Sequence, residues 1–352
     1  MMQLPHELVD HILENLYRDN PTLLKCALVG QAWVRPSQRG IFRRIALELP
    51  SSQDDAADID AYLKTNDQLC ALFAEKPHLA SYVRELSLRG FRRGNWQVEE
   101  VLLNAIATVI QHLSNVLYFD TWDNNSDVEP SPVPELDIED TYANNHPVRS
   151  TQLDKMRFYG HSGVTPFFLA WFQHQSCPFD IHHLRVLHLE VSDSDTVVRI
   201  LQYVGKNLSD LGLRVSALVF THSPDSTLDY LKYTPNLRNL QFFNVISIPV
   251  IQSLFKPFLD PSVRIRFPLR HFTIVILKNA TQWEWRSVDV LLAKPEFALL
   301  KTMNIEVSED VPKMLDIRQQ ICKQMPFLEG SRKLVVRKPK YSDSDWLSTR
   351  YV

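Results

Sequence analysis

One stretch of the chain concentrates side chains that could bind a metal ion: His174, Cys177, His182, His183 and His188. Imidazole nitrogen and thiolate sulfur are preferred zinc ligands, and a closed structural site needs four of them. The spacing of His174, Cys177 and His182 could bring three ligands to one ion, but no recognisable second pair follows. We therefore expect surface or core histidines here and no bound metal, with a metal-dependent hydrolase as the alternative hypothesis.

Recognisable motifs of other catalytic chemistry do not occur in the sequence. A nucleophile elbow, GxSxG, and a phosphate loop, GxxxxGK followed by Ser or Thr, are both missing, and the chain has only nine glycines. The net charge is −3, and the short basic clusters at 92–93, 264–266 and 337–340 do not form the stripe that nucleic-acid binding requires. We expect no enzymatic activity, no cofactor and no nucleic-acid partner.

The cysteine spacing and the N-terminus indicate a cellular compartment. The chain has four cysteines and no CxxC pair: Cys26, Cys70, Cys177 and Cys322. This spacing is typical of reduced thiols rather than of a disulfide framework. The N-terminus lacks the apolar core of a secretion signal, and no apolar run reaches the roughly 20 residues that span a membrane. The sequence therefore predicts a cytoplasmic or nuclear protein, or one found in both, with no membrane partner.

The elements that would position any site are predicted by a short phrase that recurs after residue 80. The phrase is a leucine or similar residue, two other residues, an apolar residue, any residue and a second apolar residue. It begins at residues 83, 113, 153, 184, 208, 237, 269 and 300, so seven steps cover 217 residues, a mean of 31. Helical periodicity lies between the phrases, at Val98–Leu113, Thr196–Val204, Asp225–Tyr233, Val288–Leu292 and Met314–Met325. This alternation predicts an α/β fold of parallel strands with outer helices.

The recurrence resembles a leucine-rich repeat in an irregular form. Ser192, Ser216 and Val245 stand where the full consensus has asparagine or cysteine, and the mean period exceeds the ~20–29 residues of standard repeats. The resemblance implies a βα solenoid over residues 81–338, whose concave sheet contacts a target protein. A non-repeating α/β sheet domain is the alternative.

Alternation along the strands selects the side chains that would face a target. If Leu187 and Leu189 point to the core, the residues between them point to the opposite face of the sheet. The same alternation gives the full set: Arg157, Tyr159, Val186, His188, Glu190, Arg214, Gln241, Phe243, His271, Thr273, Asn304 and Glu306. The candidate target-binding residues within it are Arg157, Tyr159, His188, Arg214, Gln241 and Phe243.

Other segments differ in composition from the repeats. Residues 120–147 are rich in Asp, Glu and Pro, and no Lys or Arg occurs from 94 to 148. We predict an acidic insertion with too few apolar residues to fold, either a solvated loop or an acidic arm for a basic partner. Residues 49–80 are expected to form a linker and a helical cap, with 51–60 as the linker. A last strand is expected at 333–337, followed by a C-terminal tail at 339–352.

The first 48 residues have a different organisation. Four apolar residues recur at every fourth position, on one face of a helix: Leu4, Leu8, Ile12 and Leu16. A second helix is expected after an Asn20 cap, and a third that starts near Pro36, where one continuous helix would break. Three such helices have too small a core to be stable alone. They therefore need a partner protein or the rest of the chain to cover them.

This N-terminal stretch resembles the F-box, in the form common in fungal proteins. The match covers Leu4-Pro5 and Glu7-Leu8, then Ile12, Leu13 and Leu16, then Leu24, Cys26, Leu28-Val29 and Trp33, and finally Ile41-Phe42; Gln31-Ala32 stand where a basic residue is usual. The resemblance implies one partner, the Skp adaptor of a cullin–RING ubiquitin ligase. It implies adaptor-facing or framework positions at Leu4, Pro5, Leu8, Ile12, Leu16, Leu24, Val29 and Trp33.

The two resemblances together imply a substrate receptor. The F-box, residues 1–48, would hold the adaptor, the repeats would hold a target protein, and partner subunits would carry out ubiquitin transfer. The alternative is a scaffold outside ubiquitin ligases, whose N-terminal helices only cap the repeats.

Overall fold

The structure is a computed structural model of the 352-residue chain. It describes residues 5–50, 56–90, 96–122, 151–159, 172, 177, 179–191, 194–215, 229–243, 248–259, 267–276, 283–307 and 311–339. The chain divides into two compact units, Met1–Leu184 and Arg185–Val352. We call them the N-terminal unit and the C-terminal unit.

The N-terminal unit begins with three helices: α1, His6–Glu14; α2, Asn20–Cys26; and α3, Gln31–Ile41. Asp19 rather than Asn20 caps α2, because its carboxylate accepts the backbone N–H of Thr22 at 3.1 Å. Pro36 lies inside α3 and not at its start, which corrects the sequence prediction. The helix continues past the missing N–H because Trp33 and Ile41, on either side of it, pack against the helical core.

Parallel strands follow these helices in the N-terminal unit. They are β1, Arg44–Glu48; β2, Glu85–Arg89; β3, Tyr118–Trp122; β4, Thr151–Gln152; β5, Lys155–Tyr159; and β6, Phe179–Asp180. Pairing runs from β1 to β2, β3 and β5, and β4 pairs separately with β6. The sequence did not predict β1, which lies within the first 48 residues, where only helices were expected.

Three helices described between these strands are α4, Ala56–Glu75; α5, Pro77–Ala80; and α6, Trp96–Gln111. Residues 56–60, predicted to be linker, form the start of α4, while residues 51–55 lie outside the described part. Asp120, predicted to belong to the acidic insertion, is a buried residue of β3. Residues 123–147 of that insertion also lie outside the described part, as do residues 340–352 of the tail.

The described part of the C-terminal unit has six parallel strands that pair in chain order. They are β7, Val186–Val191; β8, Asp210–Val215; β9, Asn239–Phe243; β10, His271–Ile276; β11, Thr302–Val307; and β12, Leu334–Arg337. The α-helices of the unit are α7, Ser194–Val204; α8, Ile248–Phe255; α9, Trp285–Leu292; α10, Val311–Gln324; and α11, Pro326–Gly330. The predicted α/β class with a large parallel sheet is confirmed.

The structure differs from the predicted helices of this unit at two places. The segment predicted as an α-helix at Asp225–Tyr233 is a 3-10 helix over its described part, Asp229–Tyr233. Helix α8 was not predicted. Its buried Ile248, Ile251 and Leu254 recur at helical spacing, but Pro249 in the first turn and the short length conceal the pattern.

Strand alternation follows the prediction. In β7, Leu187 and Leu189 are buried, whereas His188 and Glu190 are half-exposed. Crossovers between neighbouring parallel strands are right-handed as a rule, which places successive connecting helices on one side of the sheet. The buried leucines mark that side. We call the opposite side of each unit's sheet its polar face. Among the described residues, no helix is long and apolar enough to span a membrane.

Candidate docking site

The three N-terminal helices enclose a small core of their own. Its fully buried members are Val9, Leu13 and Leu23, and the partly buried side chains packed against them are Leu16, Tyr17, Cys26, Trp33 and Ile41. Gly40 allows the close approach, because a Cβ there would lie 2.7 Å from both Leu23 Cδ1 and Tyr17 Cδ1. The core is therefore formed by residues of α1, α2 and α3 and the turn after α1.

Helix α1 presents apolar side chains to solvent as well as to this core. Leu8 is 50% exposed and Ile12 is 43% exposed, while Val9 and Leu13 are buried. Leu8 and Ile12 are four residues apart and so lie one above the other on the same side of the helix. The helix thus has two apolar sides, of which the core covers only one.

The second exposed apolar group lies on α2 and the turn that follows it. Leu24 is 57% exposed, Leu28 is 86% exposed and Val29 is 67% exposed. Together with Leu8 and Ile12 they are five of the twelve large exposed hydrophobic side chains among the described residues. Single exposed leucines are common on protein surfaces, but such a concentration in a short stretch makes it a candidate interaction surface. We call these five residues the apolar surface.

The other residues predicted to bind an adaptor have different positions. Pro5 is exposed at the start of α1. Leu16 and Trp33 are half-buried against the helical core, so they support the surface more than they form it. Leu4 lies outside the described residues. Leu28, the most exposed of the five, was part of the sequence resemblance but not of the predicted site, because spacing alone does not distinguish it from a core residue.

Ionic and aromatic contacts attach the three helices to the sheet of the same unit. Arg43 Nε lies 3.6 Å from Glu85 Oε1, and the Arg43 guanidinium carbon lies 5.2 Å from the centre of the Tyr17 ring. The Arg43 carbonyl accepts the backbone N–H groups of Arg84 and Glu85 at 2.9 and 3.1 Å. The helices therefore have a defined position on β1 and β2, and the apolar surface remains exposed in that position.

The polar face of the C-terminal unit is a second candidate surface, on which side chains pair across neighbouring strands. Arg214 Nε lies 3.5 Å from Glu190 Oε1. Further pairs join β8 to β9, β10 to β11 and β11 to β12: Asn239 with Asp210, His271 with Thr302, Asn304 with Thr273, and Arg337 with Glu306. Gly212 leaves room for the neighbouring His188 ring, since a Cβ there would lie 3.0 Å from His188 Nδ1. These pairs fix the positions of polar groups before any partner binds.

The predicted target-binding residues divide by burial. His188, Arg214 and Gln241 are half-exposed on the polar face, as expected. Arg157 and Phe243 are buried and offer little surface to a target, which corrects the prediction for both. Their burial could not be read from strand alternation, which gives the face of the sheet but not what covers it. Tyr159 belongs to β5, and its side chain lies outside the described residues.

A buried ionic cluster occupies the polar face of the N-terminal unit. Ser87, Asp120 and Arg157 are side by side on β2, β3 and β5, and all three are buried. Burial raises the pKa of the Asp120 carboxyl, and the positive charges of Arg157, Arg44 and Arg89 partly offset this effect.

The described metal-ligand candidates are Cys177, His182, His183 and His188, and they form no group that could hold a metal ion. Burial raises the pKa of the Cys177 thiol to about 12, which disfavours the thiolate that a metal needs. His182 Nδ1 lies 3.0 Å from Asp180 Oδ1, and His183 Nε2 lies 3.7 Å from Asp180 Oδ2. Across the described part of the chain, no group of three or more His, Cys, Asp or Glu residues could hold a metal ion. His174 lies outside that part.

No protein-family model matches the chain, and no curated protein matches it either.

Proposed function

We propose that this chain is the substrate-recognition subunit of a Skp–cullin–F-box ubiquitin ligase. Its N-terminal helices act as an F-box that binds the Skp adaptor through the apolar surface. Its strand–helix repeats act as an irregular leucine-rich-repeat body that binds a target protein. The chain itself is not an enzyme in this proposal, because partner subunits transfer the ubiquitin.

The exposure of Leu8, Ile12, Leu24, Leu28 and Val29 carries the proposal. Fully burying one leucine is worth roughly 1.5–3 kcal/mol, so covering five half-exposed or more exposed side chains supplies several kcal/mol. Part of this gain is lost to the cost of association. An amphipathic helix pair that docks in a complementary apolar groove is a recurring mode of recognition, and it accounts for an apolar surface on a folded helical core.

The polar face of the C-terminal unit supports the second half of the proposal. Its half-exposed amide, hydroxyl, imidazole and guanidinium groups suit hydrogen bonds to a protein epitope more than a small apolar ligand. Bound to both partners, the chain would raise the local concentration of a target lysine near a loaded conjugating enzyme.

Co-purification tests the proposal with a matched control. The tagged wild-type chain should recover the Skp adaptor and a cullin from cells, and the Leu8→Ala, Ile12→Ala double variant should recover neither. The control carries Val290→Ala and Leu315→Ala, two side chains that are 60% and 67% exposed on α9 and α10. The control should retain the adaptor. A wild-type chain that recovers no adaptor, or a double variant that recovers as much as the control, contradicts the proposal.

A scaffold outside ubiquitin ligases is the second candidate, because α3 continues into β1 and Arg43 contacts Glu85. In that case the helices serve to cap the sheet edge. The Leu8→Ala, Ile12→Ala variant would then lose no partner, and removal of residues 1–43 would unfold β1 and β2. Hydrogen exchange of β2 measures whether the truncated chain unfolds there. Loss of β2 protection with no adaptor recovered by the wild type supports the scaffold, whereas adaptor recovery that depends on Leu8 and Ile12 supports the receptor.

A further inference from the structure

Basic side chains lie in a row at the amino-terminal ends of the strands in the C-terminal unit. Arg185, Arg238, Arg270 and Lys301 each come one residue before their strands β7, β9, β10 and β11, and Arg332 and Lys333 come directly before β12. At β8 the corresponding residue is Ser209. Because β7 to β12 are parallel neighbours, all of these residues are at the same edge of the sheet. We call Arg238, Arg270 and Lys301 the basic rim.

Backbone hydrogen bonds hold the residues of the basic rim next to one another. The Arg238 carbonyl accepts the N–H of Arg270 at 2.7 Å, and the Arg270 carbonyl accepts the N–H of Lys301 at 2.7 Å. Neighbouring strands are about 4.8 Å apart, so the chain places one cation at each such step. The row is therefore set by the sheet and does not depend on side-chain packing.

The cations of the basic rim form no ion pairs in the described part of the chain. All three side chains are exposed, and none of them forms an ion pair with a described residue. The N-terminal unit differs at the equivalent positions. There Arg84 donates to the Asn115 carbonyl at 3.2 Å and Arg43 contacts Glu85, so both cations have a structural role.

We propose that the basic rim binds an extended acidic segment of a protein. Adjacent like charges repel one another, and an anionic partner relieves this repulsion. In an extended segment, alternate side chains lie on one side about 6.6–6.8 Å apart. This is wider than the strand spacing of about 4.8 Å, and the long side chains of Arg and Lys are able to span the difference. This surface does not depend on adaptor docking, since it lies in the C-terminal unit.

The residues beside the rim favour an acidic peptide over single-stranded nucleic acid. The first residues of β7 to β11 are Val186, Asp210, Asn239, His271 and Thr302. None of them is Phe, Tyr or Trp, the side chains on which unpaired bases stack. Asn239 and Thr302 are half-exposed at these positions. Beyond their pairs with Asp210 and His271, their polar groups can form further hydrogen bonds with a peptide.

Fluorescence anisotropy of the purified full-length chain, without adaptor, tests this inference. The probes are a labelled ten-residue peptide of alternating Glu and Ser, its Lys–Ser counterpart and a ten-residue oligothymidylate. We compare the wild type, the triple variant Arg238→Glu, Arg270→Glu, Lys301→Glu, and the control Arg286→Glu, Lys294→Glu, Lys323→Glu. The control has the same change in net charge at exposed positions outside the rim. The milder pair Arg238→Gln, Arg270→Gln replaces the triple variant if circular dichroism shows that the latter is unfolded.

We expect the wild type to bind the acidic peptide, the rim variant to bind it at least about tenfold more weakly, and the control to remain within about twofold of the wild type. Binding should weaken with added salt, and the Lys–Ser peptide should not bind. The inference is overturned by no binding of the acidic peptide, by equal loss in both triple variants, or by rim-dependent binding of oligothymidylate that is tighter than that of the peptide. Loss of adaptor binding in the separate co-purification experiment would leave this result unchanged.

Discussion

Helix α1 in the N-terminal unit and helix α9 in the C-terminal unit differ in how many of their large apolar side chains are buried. In α9, Trp285, Val288, Leu291 and Leu292 are buried, and Val290 is exposed. In α1, two of the four large apolar side chains are buried and two are exposed. Both helices have eight or nine residues, so length does not explain the difference.

The difference shows what each helix is surrounded by. Helix α9 contacts α8, α10 and α11, and burial among neighbours accounts for nearly all of its apolar residues. Helix α1 has α3 as its main helical neighbour. Among the described residues, no neighbour fully covers Leu8 and Ile12 of α1, and our proposal of an adaptor-binding surface depends on this exposure.

The largest loss of stability expected from this comparison follows a substitution on the buried side of α1. Leu13→Ala should lower the free energy of unfolding of the helical core by about 2–5 kcal/mol, because Leu13 is fully buried there. Hydrogen exchange of the α1 to α3 amides measures this change. The control is Leu24→Ala, the same substitution at a 57% exposed position, which should cost within about 0.5 kcal/mol. Equal costs at the two positions would show that α1 and α2 have no distinct inner side.

The second-largest loss of stability is expected at Asp289, the only carboxylate of α9, which is buried like most of the apolar residues of this helix. Asp289 accepts the backbone N–H groups of Phe327 and Leu328, both at 3.0 Å, and so ties α9 to the first turn of α11. Asp289→Ala should cost about 1–3 kcal/mol, because it leaves two N–H groups without an acceptor. Urea denaturation measures the change. The exposed Asp316 of α10 provides the control, and an Asp289→Ala cost as small as that of Asp316→Ala would contradict this account.

The buried cluster on the polar face of the N-terminal unit gives a third expectation, which concerns the pH dependence of stability. Asp120 is buried beside Arg157, and its pKa is raised above the ordinary value of 3.8. The folded chain therefore holds this proton more tightly than the unfolded chain. The associated stability is complete below the ordinary pKa and is lost as the pH rises through the raised value. Asp120→Asn should remove this loss, so that urea denaturation between about pH 4 and pH 7 gives a shallower decline. Parallel pH profiles for variant and wild type would contradict the assignment.

The smallest effect on stability is expected at the exposed side of α1. Leu8→Ala with Ile12→Ala should change the free energy of unfolding by less than about 1 kcal/mol, because neither side chain belongs to the helical core. Thermal denaturation of the isolated chain measures this change. A loss comparable to that of Leu13→Ala would mean that these side chains are covered within the chain and would remove the contrast with α9.

The sequence predicted the α/β class and its parallel strands well, for a physical reason. Most of the recurring phrases place buried apolar residues at alternate positions, and Leu187 and Leu189 of β7 show how this alternation indicates which side of a strand is covered. Strand β1 escaped prediction although Phe42, Ile45 and Leu47 match the phrase, because the first 48 residues were interpreted as helices. It forms because the carbonyl of Arg43 and the backbone of β2 are already in place beside it, which is tertiary information.

The candidate sites were only partly predictable. Leu8 and Ile12 could be recognised from spacing, but Leu16 has the same spacing and packs against the core. The basic rim was missed because its members recur about once per repeat, at Arg238, Arg270 and Lys301. A search for clusters within a short window does not find them, and only parallel pairing of the strands brings them together.

The dissociation constant for purified Skp adaptor tests the central claim most directly. Isothermal titration should give measurable binding by the wild-type chain and by the Val290→Ala, Leu315→Ala control. The Leu8→Ala, Ile12→Ala variant should bind at least about tenfold more weakly, since central apolar anchors carry most of the energy of such an interface. Equal affinity of all three proteins, or no affinity in the wild type, would contradict the account.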